Sequence, residues 1–434
     1  MLDDFAGRRI TVMGLGRFGG GAGVTRFLVN RGARVLVTDL ADRSKLDGSL
    51  ASIDDLIDSG LVTLRLGQHV MSDFTACDLV VANPAVPRPW SNPYLAAAAE
   101  AGVPITTEIR LLVERIDRQR VIGVTGTTGK STTAAMIHHL LTRAGRRAHL
   151  GGNIGGSLLN ALDDIRPDDL IVLELSSAQL HWLDEAADSP EARGFSPAIA
   201  VLTNLAPNHL DWHGTFEHYR HAKHAIFRHQ STDDRSIDGA SIDLPREPLP
   251  LRIPGAHNQR NAAVAIKAAR CVIELRRHAA ARFLADFPGL LHRLQLVSER
   301  DGLRFFDDSK CTTPEATVLA VESFDDPSHV HLIAGGYDKG VELSPIARLA
   351  ANLAGLYTIG ATGPQIAAAA SNDRNIHQCH TLDRAVGIAI DLMRAGDVLL
   401  LSPGCASWDQ FENFEQRGEH FARLVDAHCP EPVA

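Results

Sequence analysis

Apolar and polar positions fall in blocks along this chain. Short aliphatic and β-branched runs end in glycine or a polar turn, and segments with helical spacing follow them. The runs are Arg9–Leu15, Arg34–Asp39, Asp78–Ala82, Val121–Thr125, Leu170–Leu175 and Ala198–Thr203, then Leu303–Asp307, His331–Ala334, Leu356–Ile359 and Val398–Leu401. Continuous apolar runs of this length are what a parallel strand covered on both faces requires. Helices are expected through about Asn30, over Ile105–Ile116 and Thr132–Ala144, in one long alanine-rich stretch from Gly255 to about Arg282, and from about Pro314, Ser344, Gly363, Leu382 and Asp409. Gln230–Pro250, polar and proline-containing, reads as a surface excursion.

Strand and helix alternate throughout, so the class is α/β. Asp117-Arg-Gln-Arg120 and Phe287-Pro-Gly-Leu-Leu-His-Arg293 read as boundaries, giving expected domains at 1–117, 118–290 and 291–434. The expected fold is a Rossmann-like first domain, a P-loop ATPase-like central domain on a mostly parallel sheet, and a Rossmann-like third domain.

The sharpest chemical signal is Val121-Ile-Gly-Val-Thr-Gly-Thr-Thr-Gly-Lys-Ser-Thr-Thr133. A strand running into a glycine-rich turn, with a helix directly behind it, presents backbone N–H groups and a positive helix end to a phosphate. Gly126, Thr127, Thr128, Gly129, Lys130, Ser131 and Thr132 would line it, Lys130 reaching the β/γ-phosphates and Ser131 a Mg²⁺ ion. The alternative is a tight turn with no ligand. A second glycine-rich turn, Gly14 to Gly23, lies in a βαβ unit ending in Asp39. It suits a nucleotide or nucleotide-sugar, or merely packs a helix on a strand.

Strand ends supply further polar groups. Glu174 closes an apolar strand, and His209 follows the next one. In a parallel sheet these ends converge, so Lys130, Glu174 and His209 could share one site. Glu174 is then a magnesium ligand or a rim carboxylate in water, and His209 a ligand or a structural histidine. His257, Asn258 and Asn261 suit helix capping. Lys310 and Lys339 lie in Gly/Ser/Thr-rich loops after strands, where they could hold an anion. Together with Arg293, they also fit a solvated surface.

Composition narrows the class. Of 434 residues, 45% are hydrophobic and 22% charged, and the net charge of −9 has both signs interspersed, which argues against a nucleic-acid surface. The six cysteines are scattered, with no C-x-x-C pair, as in a reducing compartment without a zinc site. The N-terminal residues lack the basic flank and apolar stretch of a signal peptide, and no apolar run is long enough to span a bilayer.

Together these segments resemble the Mur ligase family, ATP-dependent amide-forming enzymes of peptidoglycan precursor synthesis. The resemblance is carried by Gly126 to Thr132, Gly152-Asn153, Glu174-Leu-Ser-Ser177 with Gln179, Asn204 to Asp211, and Tyr219-Arg-His-Ala-Lys223. It continues through His257-Asn258 with Asn261, His292-Arg293, Asp308-Ser-Lys310 and Gly335 to Lys339. Ser402 to Gly418 is its most specific piece and points to the D-glutamate-adding branch.

The resemblance implies a cytoplasmic, monomeric enzyme joining UDP-N-acetylmuramoyl-L-alanine to D-glutamate with ATP and Mg²⁺, without nucleic acid or membrane insertion. By it, Lys130, Glu174, His209 and Lys223 would be the catalytic group, with Ser131, Glu174, His209 and a carbamylated Lys223 serving the metal. Asn258, Asn261, Arg293 and Asp308 would join the phosphate turn in holding ATP. Gly14, Gly16, Arg17, Gly19, Asp39, Asn83, Asn153, Gln179 and His209 would face the UDP-substrate, and Lys310, Thr312, Lys339, Ser407 and Phe414 the D-glutamate. The chain departs from the family's pattern at Leu294-Gln295, Thr313, Tyr337-Asp338 and Arg17-Phe18.

Overall fold

The computed structural model describes residues 5–16, 19–184, 194–244, 247–370 and 375–428. The chain divides into two compact units: Met1–Leu244 with Asn261–Ala280, and Pro245–Arg260 with Ala281–Ala434.

The first unit holds two sheets. One comprises β1 (Arg9–Met13), β2 (Arg34–Asp39), β3 (Val62–Leu66), β4 (Leu79–Ala82) and β5 (Ile105–Thr106), in the order β3-β2-β1-β4-β5. The other comprises β6 (Val121–Thr125), β7 (Ala148–Gly152), β8 (Leu170–Glu174), β9 (Ile199–Leu202) and β10 (Arg235–Asp238), in the order β10-β9-β6-β8-β7. All pairings in both are parallel. The central strands β6, β8 and β9 are buried along their whole length, which is why their sequences are apolar without alternation. One continuous core runs through this unit. Leu111 and Leu112 of the helix Glu108–Val113 belong to it with Val12 of the first sheet and Leu173 of the second.

The second unit carries β11 (Gln295–Arg300), β12 (Leu303–Asp307), β13 (Val330–Gly335), β14 (Gly355–Ile359), β15 (Ile376–His380) and β16 (Val398–Leu401), in the order β11-β12-β16-β13-β14-β15. Only the β11–β12 pairing is antiparallel. Each face has its own apolar layer, one around Leu332, Leu356 and Leu400, the other around Ile333, Tyr357 and Leu399. The α/β class and the three-sheet architecture agree with the sequence pattern.

Local departures have physical causes. Ile105–Thr106 is a short strand rather than the start of a helix, and Thr107 caps the helix Glu108–Val113 by accepting from Arg110 N–H at 3.3 Å. The polar stretch after Gln230 contributes β10, in which only Ile237 is buried. The alanine-rich stretch forms two helices, Ala256–Ala269 and Arg277–Ala285. In the break, the Arg270 guanidinium donates to the Leu275 carbonyl at 2.9 Å. The last helix begins at Phe414, not Asp409.

Candidate active site

At the end of β6 the chain turns through Gly126 (φ 149°) and Gly129 (φ 76°). A Cβ on Gly126 would lie 2.0 Å from Thr203 Oγ1, and one on Gly129 2.5 Å from Asn261 Oδ1, so both positions demand glycine by contact as well as conformation. The turn is tied to the end of β9. Thr127 N–H donates to the Asn204 carbonyl and Thr128 N–H to Asn204 Oδ1, each at 3.0 Å, while the Thr203 hydroxyl donates to the Thr128 carbonyl at 2.6 Å. Gly129 then starts the helix Lys130–Arg143 without a side-chain cap. First-turn N–H groups of a helix have no intrahelical acceptor, which suits them to an anion. The Lys130 ammonium folds over the turn and donates to the Thr127 carbonyl at 2.9 Å.

Glu174 ends β8 directly opposite Val124 of β6. It is 1% exposed, and its Oε1 accepts from Asn153 Nδ2 at 2.8 Å. Oε2 is buried with no hydrogen-bond partner among the described residues. An uncompensated carboxylate oxygen is costly in such a place, and a hard cation is the partner that oxygen ligands favour.

The helix Phe216–Arg228 starts at Thr215, whose hydroxyl accepts from His218 N–H at 3.2 Å. Tyr219, Ala222, Lys223, Ala225 and Ile226 are its buried residues, and all but Ala225 follow the i, i+3, i+4, i+7 spacing of one helix face. Lys223 is 2% exposed; its ammonium donates to Thr125 Oγ1 at 2.9 Å and sits 5.5 Å from the Tyr219 ring centre. Burial and then the Lys130 charge hold its pKa well below the usual lysine value, with Glu174 pulling the other way. The described residues give it no ion pair, so its surroundings disfavour the charged form.

His209 takes a left-handed conformation (φ 52°) at the start of the short helix Leu210–His213. Partial burial, Lys130 and Lys223 all lower its pKa, opposed by Asp211, so the ring keeps a lone pair for a metal at neutral pH. Thus Lys130, Glu174, His209 and Lys223 gather at the carboxyl ends of β6, β8 and β9. Sequence reasoning gave no role to the groups that hold them: Thr125, Thr203, Asn204 and Tyr219, whose hydroxyl lies 3.0 Å from Thr127 Oγ1. The i, i+4 spacing of Tyr219 and Lys223 was the available signal.

Around the first glycine turn, Gly14, Gly16 and Gly19 all have positive φ. Asp39 spans the turn, its Oδ2 accepting from Gly16 N–H at 3.1 Å and its Oδ1 from Ala41 N–H at 2.8 Å. Asn83 Nδ2 donates to the Gly14 carbonyl at 3.3 Å. Arg17 lies outside the described residues. Gln179 is engaged in a reciprocal helix cap: its Oε1 accepts from Ser176 N–H, and its own N–H donates to Ser176 Oγ.

In the second unit three loops are bound together. Ser402 Oγ donates to Asp308 Oδ2 at 2.7 Å, and Tyr337 N–H to the Ala406 carbonyl at 2.8 Å. The buried Arg417 donates through Nε to Ser309 Oγ and through Nη2 to the Ser309 and Cys405 carbonyls. These loops carry Lys310, Thr312, Lys339 and Ser407, and the Lys310 ammonium lies 5.1 Å from the Phe414 ring centre. Asp308 also accepts from Leu294 N–H at 3.2 Å, and burial pushes its carboxyl up to about 7, against those hydrogen bonds and the nearby Arg293 charge. His292 Nδ1 lies 2.6 Å from Asp307 Oδ2, and that bond raises its pKa. Gln295, one of the departures, accepts from His292 N–H at 3.1 Å. Asn258, inside the helix Ala256–Ala269, donates to the Pro254 carbonyl at 2.6 Å.

Three family models match in chain order: Mur ligase MurD-like, N-terminal domain, over 8–107; Mur ligase middle domain over 124–242; and Mur ligase, glutamate ligase domain, over 292–405. The UDP-N-acetylmuramoylalanine–D-glutamate ligase of Pelotomaculum thermopropionicum is 36% identical, with 98% of this chain and 99% of that protein aligned. The chain belongs to the Mur ligase family. The like-named ligase of Acidobacterium capsulatum is 34% identical to this Mur ligase over 98% of the chain and 97% of its own length. Among solved structures, UDP-N-acetylmuramate-alanine ligase from Thermotoga maritima superposes with a TM-score of 0.59 at 18% identity, covering 97% of this chain and all of that one. MurF ligase from Thermotoga maritima in complex with ADP gives 0.54 at 17% identity, covering 98% and 96%. At those identities they speak for the Mur ligase fold. Among the described residues no helix is long and apolar enough to cross a membrane.

Proposed function

We propose that this Mur ligase joins UDP-N-acetylmuramoyl-L-alanine to D-glutamate in the cytoplasm at the expense of ATP, as a step of peptidoglycan precursor synthesis. The observation that carries the chemistry is the meeting of a phosphate-type turn, a buried carboxylate oxygen without a partner and a buried lysine at one sheet end. Full-length similarity to D-glutamate ligases supports the choice of amino acid. The domains would be 1–117 for the UDP-substrate, 118–290 for ATP and 291–434 for the amino acid.

In this reading the N–H groups of the Gly126–Thr132 turn and Lys130 hold the triphosphate. The substrate carboxylate attacks the γ-phosphorus in line, giving an acyl phosphate and ADP. The D-glutamate amine then adds to the acyl carbonyl, and the tetrahedral adduct expels phosphate. Positioning and charge neutralisation carry both steps. The donor set fits Mg²⁺: Glu174 Oε2, the Ser131 hydroxyl and the neutral His209 ring would hold it, with phosphate oxygens completing the shell. When bound, Mg²⁺ would neutralise charge on the phosphates. A neutral Lys223 amine can add to CO₂ and release a proton; the carbamate oxygens would then offer the anionic ligand that an ammonium cannot. Asn153 and Gln179 would face the muramoyl group, the Gly14–Gly19 turn with Asp39 and Asn83 the uridine diphosphate. Asn258, Asn261, Arg293 and Asp308 would contact the nucleotide, and Lys310, Thr312, Lys339, Ser407 and Phe414 the D-glutamate.

The test is a panel of amino acids offered with radiolabelled UDP-N-acetylmuramoyl-L-alanine and ATP. D-glutamate alone should give a ligated product; a product with a diamino acid in its place would move the chain to another branch of the family.

A further inference from the structure

Two large aromatic side chains stand side by side in solvent on a chain with few aromatic residues: Tyr337 is 42% exposed and Trp408 58%. They come from different loops, those after β13 and β16. The Tyr337–Ala406 backbone bridge sets their ring centres 5.5 Å apart at an interplanar angle of 59°. Folding does not explain the pair, because neither ring is inside a core. Trp408 in turn holds Lys339, whose ammonium lies 5.2 Å from its ring centre. The neighbouring Asp338 carboxylate accepts from Gly340 N–H at 2.7 Å. No described carboxylate lies within ion-pair distance of Lys339, so its charge rests on the indole and is available to a ligand.

We propose that Tyr337 and Trp408 form a platform that holds the Lys339 ammonium ready for a carboxylate of the incoming amino acid, making both of them positioning residues for that substrate. The proposal rests on the reading of Lys339 as a D-glutamate-binding residue. A lysine on an exposed loop has many rotamers, and gripping a carboxylate costs it that freedom. An indole face, the strongest aromatic partner for a cation, removes part of the cost beforehand. Tyr337 braces the indole from the neighbouring loop. The arrangement recurs at Lys310, which lies against Phe414.

The test is steady-state kinetics of the full-length protein with D-glutamate, ATP and the UDP-substrate each varied in turn. Trp408→Leu should raise the KM for D-glutamate roughly fivefold, the worth of a cation–π contact at an exposed site. The kcat and the other two KM values should stay within about twofold, and Trp408→Phe should recover most of the loss. Tyr337→Ala should give a smaller rise of the same kind. In a Lys339→Met background Trp408→Leu should add nothing. The platform is overturned if Trp408→Leu leaves the D-glutamate KM unchanged while Lys339→Met raises it. An equal effect of Trp408→Leu in both backgrounds, or a general fall in kcat, would also overturn it. If Lys339→Met itself leaves that KM unchanged, the assignment of Lys339 fails first, and the platform fails with it.

Discussion

The first unit contains two glycine turns built alike. Each follows the middle strand of a parallel sheet, and each starts a helix from a left-handed glycine with no side-chain cap: Gly19 at φ 80° and Gly129 at φ 76°. Their surroundings differ. At the first turn the chain supplies its own anion, because Asp39 takes the Gly16 N–H. At the second, Lys130 lies over the turn, the buried Lys223 stands nearby with its charged form disfavoured, and Glu174 keeps an unpartnered oxygen beside it. The backbone makes an anion cradle possible in both places, and the side chains around it decide what enters. A triphosphate with its metal suits the second turn; the first suits a ligand that tolerates a nearby carboxylate.

Substitutions can break this contrast. The largest effect should come from Lys130→Ala, which should lower ATP turnover by about a thousandfold while the protein stays folded, as for loss of a charge-stabilising group in a catalytic site. Phosphate release and circular dichroism check it. Lys223→Ala should lose roughly a hundredfold or more in activity. Bicarbonate should not restore it, whereas a small carboxylate such as acetate should do so in part. Recovery with bicarbonate would remove the carbamate role.

The glycines sharpen the comparison further. Gly19→Ala and Gly129→Ala should each lose about 1–2 kcal/mol of stability from the left-handed conformation. Only Gly129→Ala also drives a methyl group into Asn261, so only it should raise the KM for ATP; chemical denaturation and kinetics together separate the two. Asp39→Ala should raise the KM for the UDP-substrate several-fold by loosening the first turn, and leave that for ATP unchanged.

The smallest effect is a pH dependence in the second unit. Asp307 raises the folded pKa of His292 above its unfolded value, so this pair's stabilisation is complete below about pH 6.5 and is lost as pH rises through the folded pKa. His292→Gln should remove that part of the decline in Tm on the alkaline side, a change of roughly 2–4 °C.

How much was legible follows the burial pattern. Every central strand announces itself as an apolar run: β1, β2 and β4; β6, β8 and β9; β12, β13, β14 and β16. Every strand the pattern missed lies at a sheet edge: β3 and β5, β7 and β10, β11 and β15. An edge strand lacks a neighbour on one side and is only partly covered, so it need not be uniformly apolar; Arg235-Ser-Ile-Asp238 buries one side chain, and Ile376-His-Gln-Cys-His380 likewise. The helix break after Ala269 carries neither glycine nor proline, and a side-chain bond from Arg270 helps define it.

At the site, glycine spacing, Lys130 and the strand-end Glu174 could be read, since backbone geometry and burial cost leave marks in sequence. The braces could not. Thr125 beneath Lys223, Asn204 on the phosphate turn and Arg417 among the loops of the second unit act through contacts between residues far apart in the chain.

The most direct test of the central claim is phosphate release from ATP by the full-length protein, with D-glutamate and UDP-N-acetylmuramoyl-L-alanine each omitted in turn and Lys130→Ala run beside it. The account predicts sustained release only with both substrates present, and almost none from the variant. Equal release without the UDP-substrate, or undiminished release from Lys130→Ala, would contradict it.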